Sequence, residues 1–387
     1  MNKKLCIYLI ILFFVFSFSA EAQNVNYNNF SGGVNLYYQG RYSEAEAIFS
    51  EILNDPSINH ELKHDTLYYY TLTALDNNHT QLAIEQINTL KELGYENGRL
   101  YWKLGALFLN KDHQFDSASF DSALENLQKA SKLGVNSIPF KRDLAAAYTG
   151  LNEKEKAKKL YGEIISINPT VDDYLNLALL NKELGNLETA VKYYESALDI
   201  DSTRQTIYLN LGNLYQELDN YNAAVSIYKQ GIKLQKNFTP FYVGLGESYI
   251  ALEKYNEAEN VLKQVIEINR HSYYSYFLLG MINRKLEDYD TALDYYDQAI
   301  KYNEDYVNAY LEQGKIYLNR EEYYKAISKF SIAVGKNTKH AESHYYLALA
   351  YYGADMKEAA VAELKRTLHL NNKYPNARKL LNEIEKQ

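Results

Sequence analysis

Residues 273–306 read YYSYFLLGMINRKLEDYDTALDYYDQAIKYNEDY, and this stretch decides the fold. It holds two apolar-periodic runs separated by the polar step Leu286-Glu287-Asp288. Apolar residues spaced three and four apart form one face of a helix, so the stretch predicts a helix, a tight turn and a second helix. Gly280 lies in the first run and Ala292 in the second, twelve residues on. Small residues there let paired helices approach closely, because a larger side chain would hold the backbones apart.

The same pair of small residues recurs in both directions. Alanine returns at 157, 190, 224, 258, 292, 326 and 360, once after 33 residues and five times after 34. Toward the N-terminus it continues as Ala123, Ala83 and Ala45, at intervals of 34, 40 and 38. Twelve residues ahead stand Gly33, Thr71, Ala145, Ala178, Gly212, Gly246, Gly280, Gly314 and Ala348, while an insertion around Lys111 to Phe120 displaces Gly105. Leu184-Gly185-Asn186 is a second example of the turn. Pro56, Pro139, Pro169, Pro240 and Pro375 fall where one period hands over to the next, in keeping with proline's place at helix boundaries. Such self-similarity marks a stacked repeat array, in which each unit contacts only its neighbours.

These residues resemble the tetratricopeptide repeat (TPR) family. The likeness rests on the early aromatic of the first helix (Tyr174, Tyr208, Tyr242, Tyr276, Tyr310) and on Leu-Gly steps such as Leu211-Gly212. It also rests on the second-helix alanine, followed four residues later by Phe49, Tyr161, Tyr194, Tyr228, Tyr296 or Phe330. The resemblance implies an all-α fold, a right-handed α-α superhelix of about ten hairpins over residues 23–374, with units two and three degenerate and carrying insertions. Residues 375–387, with the stripe Leu380, Leu381 and Ile384, are expected to form a helix capping the last open face of the array.

The resemblance also implies that an extended peptide or a partner protein is held on the concave surface, at the second, fifth, ninth and twelfth slots of each unit. Asn213 and Gln216 take such slots in the middle of the chain. Farther on come Tyr274, Phe277, Met281 and Arg284, then Leu311, Lys315 and Leu318, then Tyr345, Leu349 and Tyr352. Aromatics, methionine and arginine are enriched at binding hot spots, so the stretch from Tyr274 to Tyr352 is the expected docking surface. Arg284 and Lys315 are expected to meet a carboxylate of the ligand. Asn213 is flanked by Leu179 and Glu247 in the corresponding slots, so the basic set that grips a chaperone tail is not assembled.

Composition narrows the setting. Lys3 and Lys4, an uncharged run from Leu5 to Phe18, and Ser19-Ala20-Glu21-Ala22 predict a cleaved secretory signal over residues 1–22. The protein is therefore expected in the periplasm or outside the cell. The remaining chain has no cysteine and no second run long enough to span a bilayer. With 41 basic and 49 acidic residues, and no basic run, nucleic acid is not an expected partner. A protein or peptide is, and a second copy of the chain is the alternative.

One motif points to chemistry instead. His60-Glu61-Leu62-Lys63-His64 matches the H-E-x-x-H pattern of zinc hydrolases, in which two histidines one turn apart bind the metal and the glutamate activates water. The pattern needs a third ligand and a substrate cleft, and it falls at a handover between units. The expected function is thus a non-catalytic scaffold without a cofactor, with zinc hydrolysis as the alternative. Of 39 tyrosines, twenty fill recurrent repeat slots, and Tyr274, Tyr345 and Tyr352 are among those left over.

Overall fold

The computed structural model describes residues 24–110 and 117–386. The expected signal at 1–22 and residues 111–116 of the expected insertion lie outside them. The described residues form 21 helices and no strand, arranged as two compact units that meet at residues 193 and 194.

In the N-terminal unit, α1 (24–38), α2 (Tyr42–Leu53), α3 (His60–Asp76), α4 (Thr80–Glu92) and α5 (Gly98–Leu109) come first. α6 (Ser117–Lys132), α7 (Ile138–Gly150), α8 (Lys154–Ile165) and α9 (Val171–Glu183) follow, and the boundary falls within α10 (Leu187–Ile200). The C-terminal unit continues with α11 (Gln205–Glu217), α12 (Tyr221–Leu234), α13 (Thr239–Ala251), α14 (Tyr255–Ile268) and α15 (Tyr273–Lys285). It ends with α16 (Tyr289–Tyr302), α17 (Val307–Asn319), α18 (Tyr323–Lys336), α19 (Ala341–Gly353), α20 (Lys357–Leu370) and α21 (Ala377–Ile384). Within each unit successive helices pack on one another, which is the expected all-α array of hairpins.

The repeated small residues do what their spacing predicts. All ten recurrent second-helix alanines, from Ala45 to Ala360, are completely buried. Gly33, Gly212, Gly280 and Gly314 of the first helices face aromatic rings of their own hairpins, whereas Gly105 and Gly246 face leucines. A Cβ on Gly212 would stand 2.4 Å from the Tyr228 ring, and one on Gly314 2.4 Å from the Phe330 ring. Tyr228 and Phe330 are fully buried, and removing such a ring from water contributes about 2–3 kcal/mol.

The turns within hairpins share one construction. Each described turn places a residue in left-handed backbone: Gly40, Asn78, Asn152, Gly185, Asp219, Glu253, Glu287, Glu321 and Asp355. At Asp219 the N–H donates to the Gln216 carbonyl (3.0 Å), and the next N–H, of Asn220, reaches back to the Tyr215 carbonyl (2.8 Å). Those paired bonds satisfy carbonyls that the end of α11 leaves open. Near the C-terminal end α21 buries Ala377, Leu381 and Ile384 and packs against α20.

Candidate binding faces

In the C-terminal unit the expected docking residues lie on the first helices of successive hairpins, and many are tied to one another. The Tyr228 hydroxyl lies 2.6 Å from Asn213 Oδ1 and 2.9 Å from Gln216 Oε1. Gln216 Nε2 in turn donates to the Gly244 carbonyl and to Ser248 Oγ, both at 2.9 Å, joining α11 to α13. Tyr274 donates to Glu247 Oε1 at 2.6 Å and stacks on Phe277. Burial, followed by the bond to Glu247, pushes the Tyr274 hydroxyl well above the ordinary tyrosine range.

A chain of charges crosses three first helices. Arg284 Nε of α15 is 2.9 Å from Glu312 Oε2 of α17, and Lys315 Nζ is 2.8 Å from both Glu312 Oε1 and Glu342 Oε1 of α19. Burial pulls the Lys315 ammonium down, but its bonds to the two glutamates outweigh that and hold it above the ordinary lysine range. The expectation that Arg284 and Lys315 await a ligand carboxylate is therefore corrected, since each is already paired within the protein. Phe277 and Leu311, 7% and 3% exposed, belong to the core between hairpins and back the surface rather than line it. Half-buried Met281, Leu318, Tyr345, Leu349 and Tyr352 are what this face still offers.

The H-E-x-x-H residues sit at the start of α3, where Asn59 caps the helix by accepting from the Leu62 N–H. His60 and Glu61 are exposed. His64 lays its ring on Tyr95, centroids 3.8 Å apart, with Nδ1 3.0 Å from Asp65 Oδ1. Among the described residues no three His, Cys, Asp or Glu side chains gather to hold a metal ion.

His64 instead borders a feature that the sequence reading missed. A cavity of about 690 Å³ opens in the N-terminal unit among α1, α3, the α4–α5 loop and α5. Phe30, Tyr68, Tyr69 and Tyr95 bring aromatic rings to it, and Asp65 and Glu96 bring carboxylates. The loop is firmly built: Gly94 is left-handed (φ 83°), and the Tyr95 N–H donates to the Leu90 carbonyl at 2.9 Å. Asn97 then starts α5 by accepting from the Arg99 N–H. A bond to Tyr38, with burial, holds the Tyr69 hydroxyl up at about 12. Counting from Gly33 and Thr71 places Phe30, Asp65 and Tyr68 in second and fifth slots of the first two units. The signal was present in the tyrosines outside the repeat slots, seven of which lie between Tyr27 and Tyr95.

Comparison with known families identifies the architecture. Tetratricopeptide-repeat models match residues 143–171, 173–237, 217–278, 277–337 and 311–377. The chain belongs to the tetratricopeptide-repeat family. Among solved structures, a TPR protein from Parabacteroides merdae is 17% identical, with a TM-score of 0.53 over 64% of this chain and 98% of its own. The C-terminal part of a TPR protein from Cytophaga hutchinsonii is 20% identical, covering 70% of this chain and 98% of its own, with a TM-score of 0.46. YrrB, described as a TPR protein with an unusual peptide-binding site, is 22% identical over 48% of this chain and 96% of its own, with a TM-score of 0.39. No curated protein matches the sequence. Among the described residues of this TPR protein, no helix is long and apolar enough to cross a membrane.

Proposed function

We propose that this TPR protein is a non-catalytic scaffold that holds a segment of a partner protein against the first-helix faces of its hairpins. The observation that carries the reading is the aromatic cavity at Phe30, Tyr68, Tyr69 and Tyr95, a concave site of ligand size whose walls are fixed by helix ends. Half-buried Met281, Leu318, Leu349 and Tyr352 provide a second, shallower patch of the kind that gains energy when covered. Residues 1–22 have the composition of an export signal, so we place this work in the periplasm or outside the cell.

Proximity crosslinking in the native cell, with the intact chain and with a Tyr68→Ala/Tyr95→Ala variant, tests the scaffold. Tyr95 is exposed and Tyr68 is half-buried against the core of the unit, so helical circular dichroism first establishes that the variant is folded. Loss of specific crosslinks in the folded variant supports the reading. A crosslink pattern identical to that of the intact chain overturns it.

A further inference from the structure

The cavity in the N-terminal unit has a chemical bias. Its walls carry aromatic rings, whose faces bear partial negative charge and attract cations. Asp65 and Glu96 add two carboxylates at its rim, both well exposed. Asp65 is set by His64, whose ring is itself fixed by Tyr95. An acidic occupant would face like charge, and a purely apolar plug would offer no bond to the carboxylates at the rim. Two features oppose this bias: His64, which lines the cavity and already lies 3.0 Å from Asp65, and Arg99 at the start of α5, which acts on the Tyr69 and Tyr37 hydroxyls but does not line the cavity.

We propose that this cavity receives a basic side chain, arginine or lysine, carried on a partner protein, its cation lying against Tyr68 and Tyr95 and meeting Asp65 and Glu96. The assignment rests on the scaffold reading above and adds the chemistry of the residue recognised. The site is distinct from the C-terminal face, where Arg284 and Lys315 are already neutralised by Glu312 and Glu342. Arg99 tunes the site: it weakens attraction for a cation without filling the space.

The test uses the full chain and two fluorescent Gly/Ser peptides that differ only in carrying a pair of arginines or a pair of glutamates, read by polarisation. The arginine peptide binds more tightly, and added salt weakens it. An Asp65→Asn/Glu96→Gln variant, nearly isosteric and altered only at exposed positions, loses about fivefold or more of that affinity. Arg99→Gln tightens the arginine peptide. Unchanged arginine-peptide affinity in the Asp65→Asn/Glu96→Gln variant overturns the proposal, as does preference for the glutamate peptide. If both peptides bind alike while Tyr68→Ala/Tyr95→Ala still abolishes the native crosslinks, the charge assignment fails and the scaffold stands. If the crosslinks also persist, both fail.

Discussion

Gly280 has no space for a side chain, because the ring of Tyr296 stands 2.5 Å from where its Cβ would be. The two residues come from paired helices of one hairpin, and Tyr296 is completely buried. Gly280→Ala therefore forces the ring or the helix to move. A gain in helix propensity of about 1 kcal/mol offsets part of an overpacking cost of about 1–3 kcal/mol. The expected net loss is about 1–2 kcal/mol in chemical denaturation. Adding Tyr296→Leu, which copies the Gly246–Leu262 pairing found one hairpin earlier, recovers part of it. An additive double mutant, with no coupling between the sites, would contradict the fit described here.

The turn residues Glu253, Glu287 and Glu321 hold left-handed backbone with φ of 57°, 62° and 59°. A side chain makes that conformation cost about 1–2 kcal/mol, part of which glycine returns through its greater freedom in the unfolded chain. Replacing each glutamate by glycine stabilises the protein by a few tenths to about 1 kcal/mol. The three positions lie in different hairpins, so the triple variant adds their effects and raises the melting temperature. A drop in melting temperature would mean that these side chains make contacts worth more than the backbone strain.

These turns also mark where sequence stops being sufficient. Gly185 announces its backbone, because glycine adopts left-handed geometry freely, but the acidic residues at 219, 253, 287, 321 and 355 announce only polarity. The hairpins were legible because the small residues at 280 and 292 recur in phase with the turns, and close helix packing demands them. The expected docking face was legible as a register and illegible as an energy. No spacing rule says that Arg284 and Lys315 find Glu312 and Glu342 on neighbouring helices, since such pairing depends on the angle between successive hairpins. The N-terminal cavity escaped for another reason: Tyr95 comes from a loop outside the repeat pattern, placed by the left-handed Gly94.

Glu312 is the centre of the charge chain, with Arg284 on one oxygen and Lys315 on the other. Its carboxylate is only 12% exposed, and those of its cations are 28% and 20%. Glu312→Gln leaves Arg284 without its carboxylate and Lys315 with Glu342 alone, and the expected loss is about 2–3 kcal/mol. Lys315→Met costs less, because the methionine fills much of the same space and Arg284 retains Glu312. Denaturant unfolding of the two variants at low and high salt checks the order. Equal losses in both, erased by salt, would show that the network behaves as a solvent-exposed one.

Tyrosine ionisation links packing to alkaline stability. Burial above all, with Asp173 nearby, pushes the Tyr161 hydroxyl up to about 12, and burial with a bond to Glu195 does the same for Tyr215. The unfolded chain releases these protons near 10, the ordinary value, while the folded chain keeps them. A raised folded pKa gives stability that is complete below pH 10 and declines as the pH climbs from 10 toward 12. Tyr161, 4% exposed, alone accounts for roughly 2 kcal/mol of that decline by pH 12. Buried Tyr228, Tyr274 and Tyr296, pushed higher still, deepen it. Absorbance of tyrosinate near the unfolding transition should therefore rise together with loss of helical circular dichroism, and Tyr161→Phe should retain more of its stability at pH 11 than the intact chain does. Ionisation of all tyrosines near pH 10 with the helices intact would show that these hydroxyls are open to water.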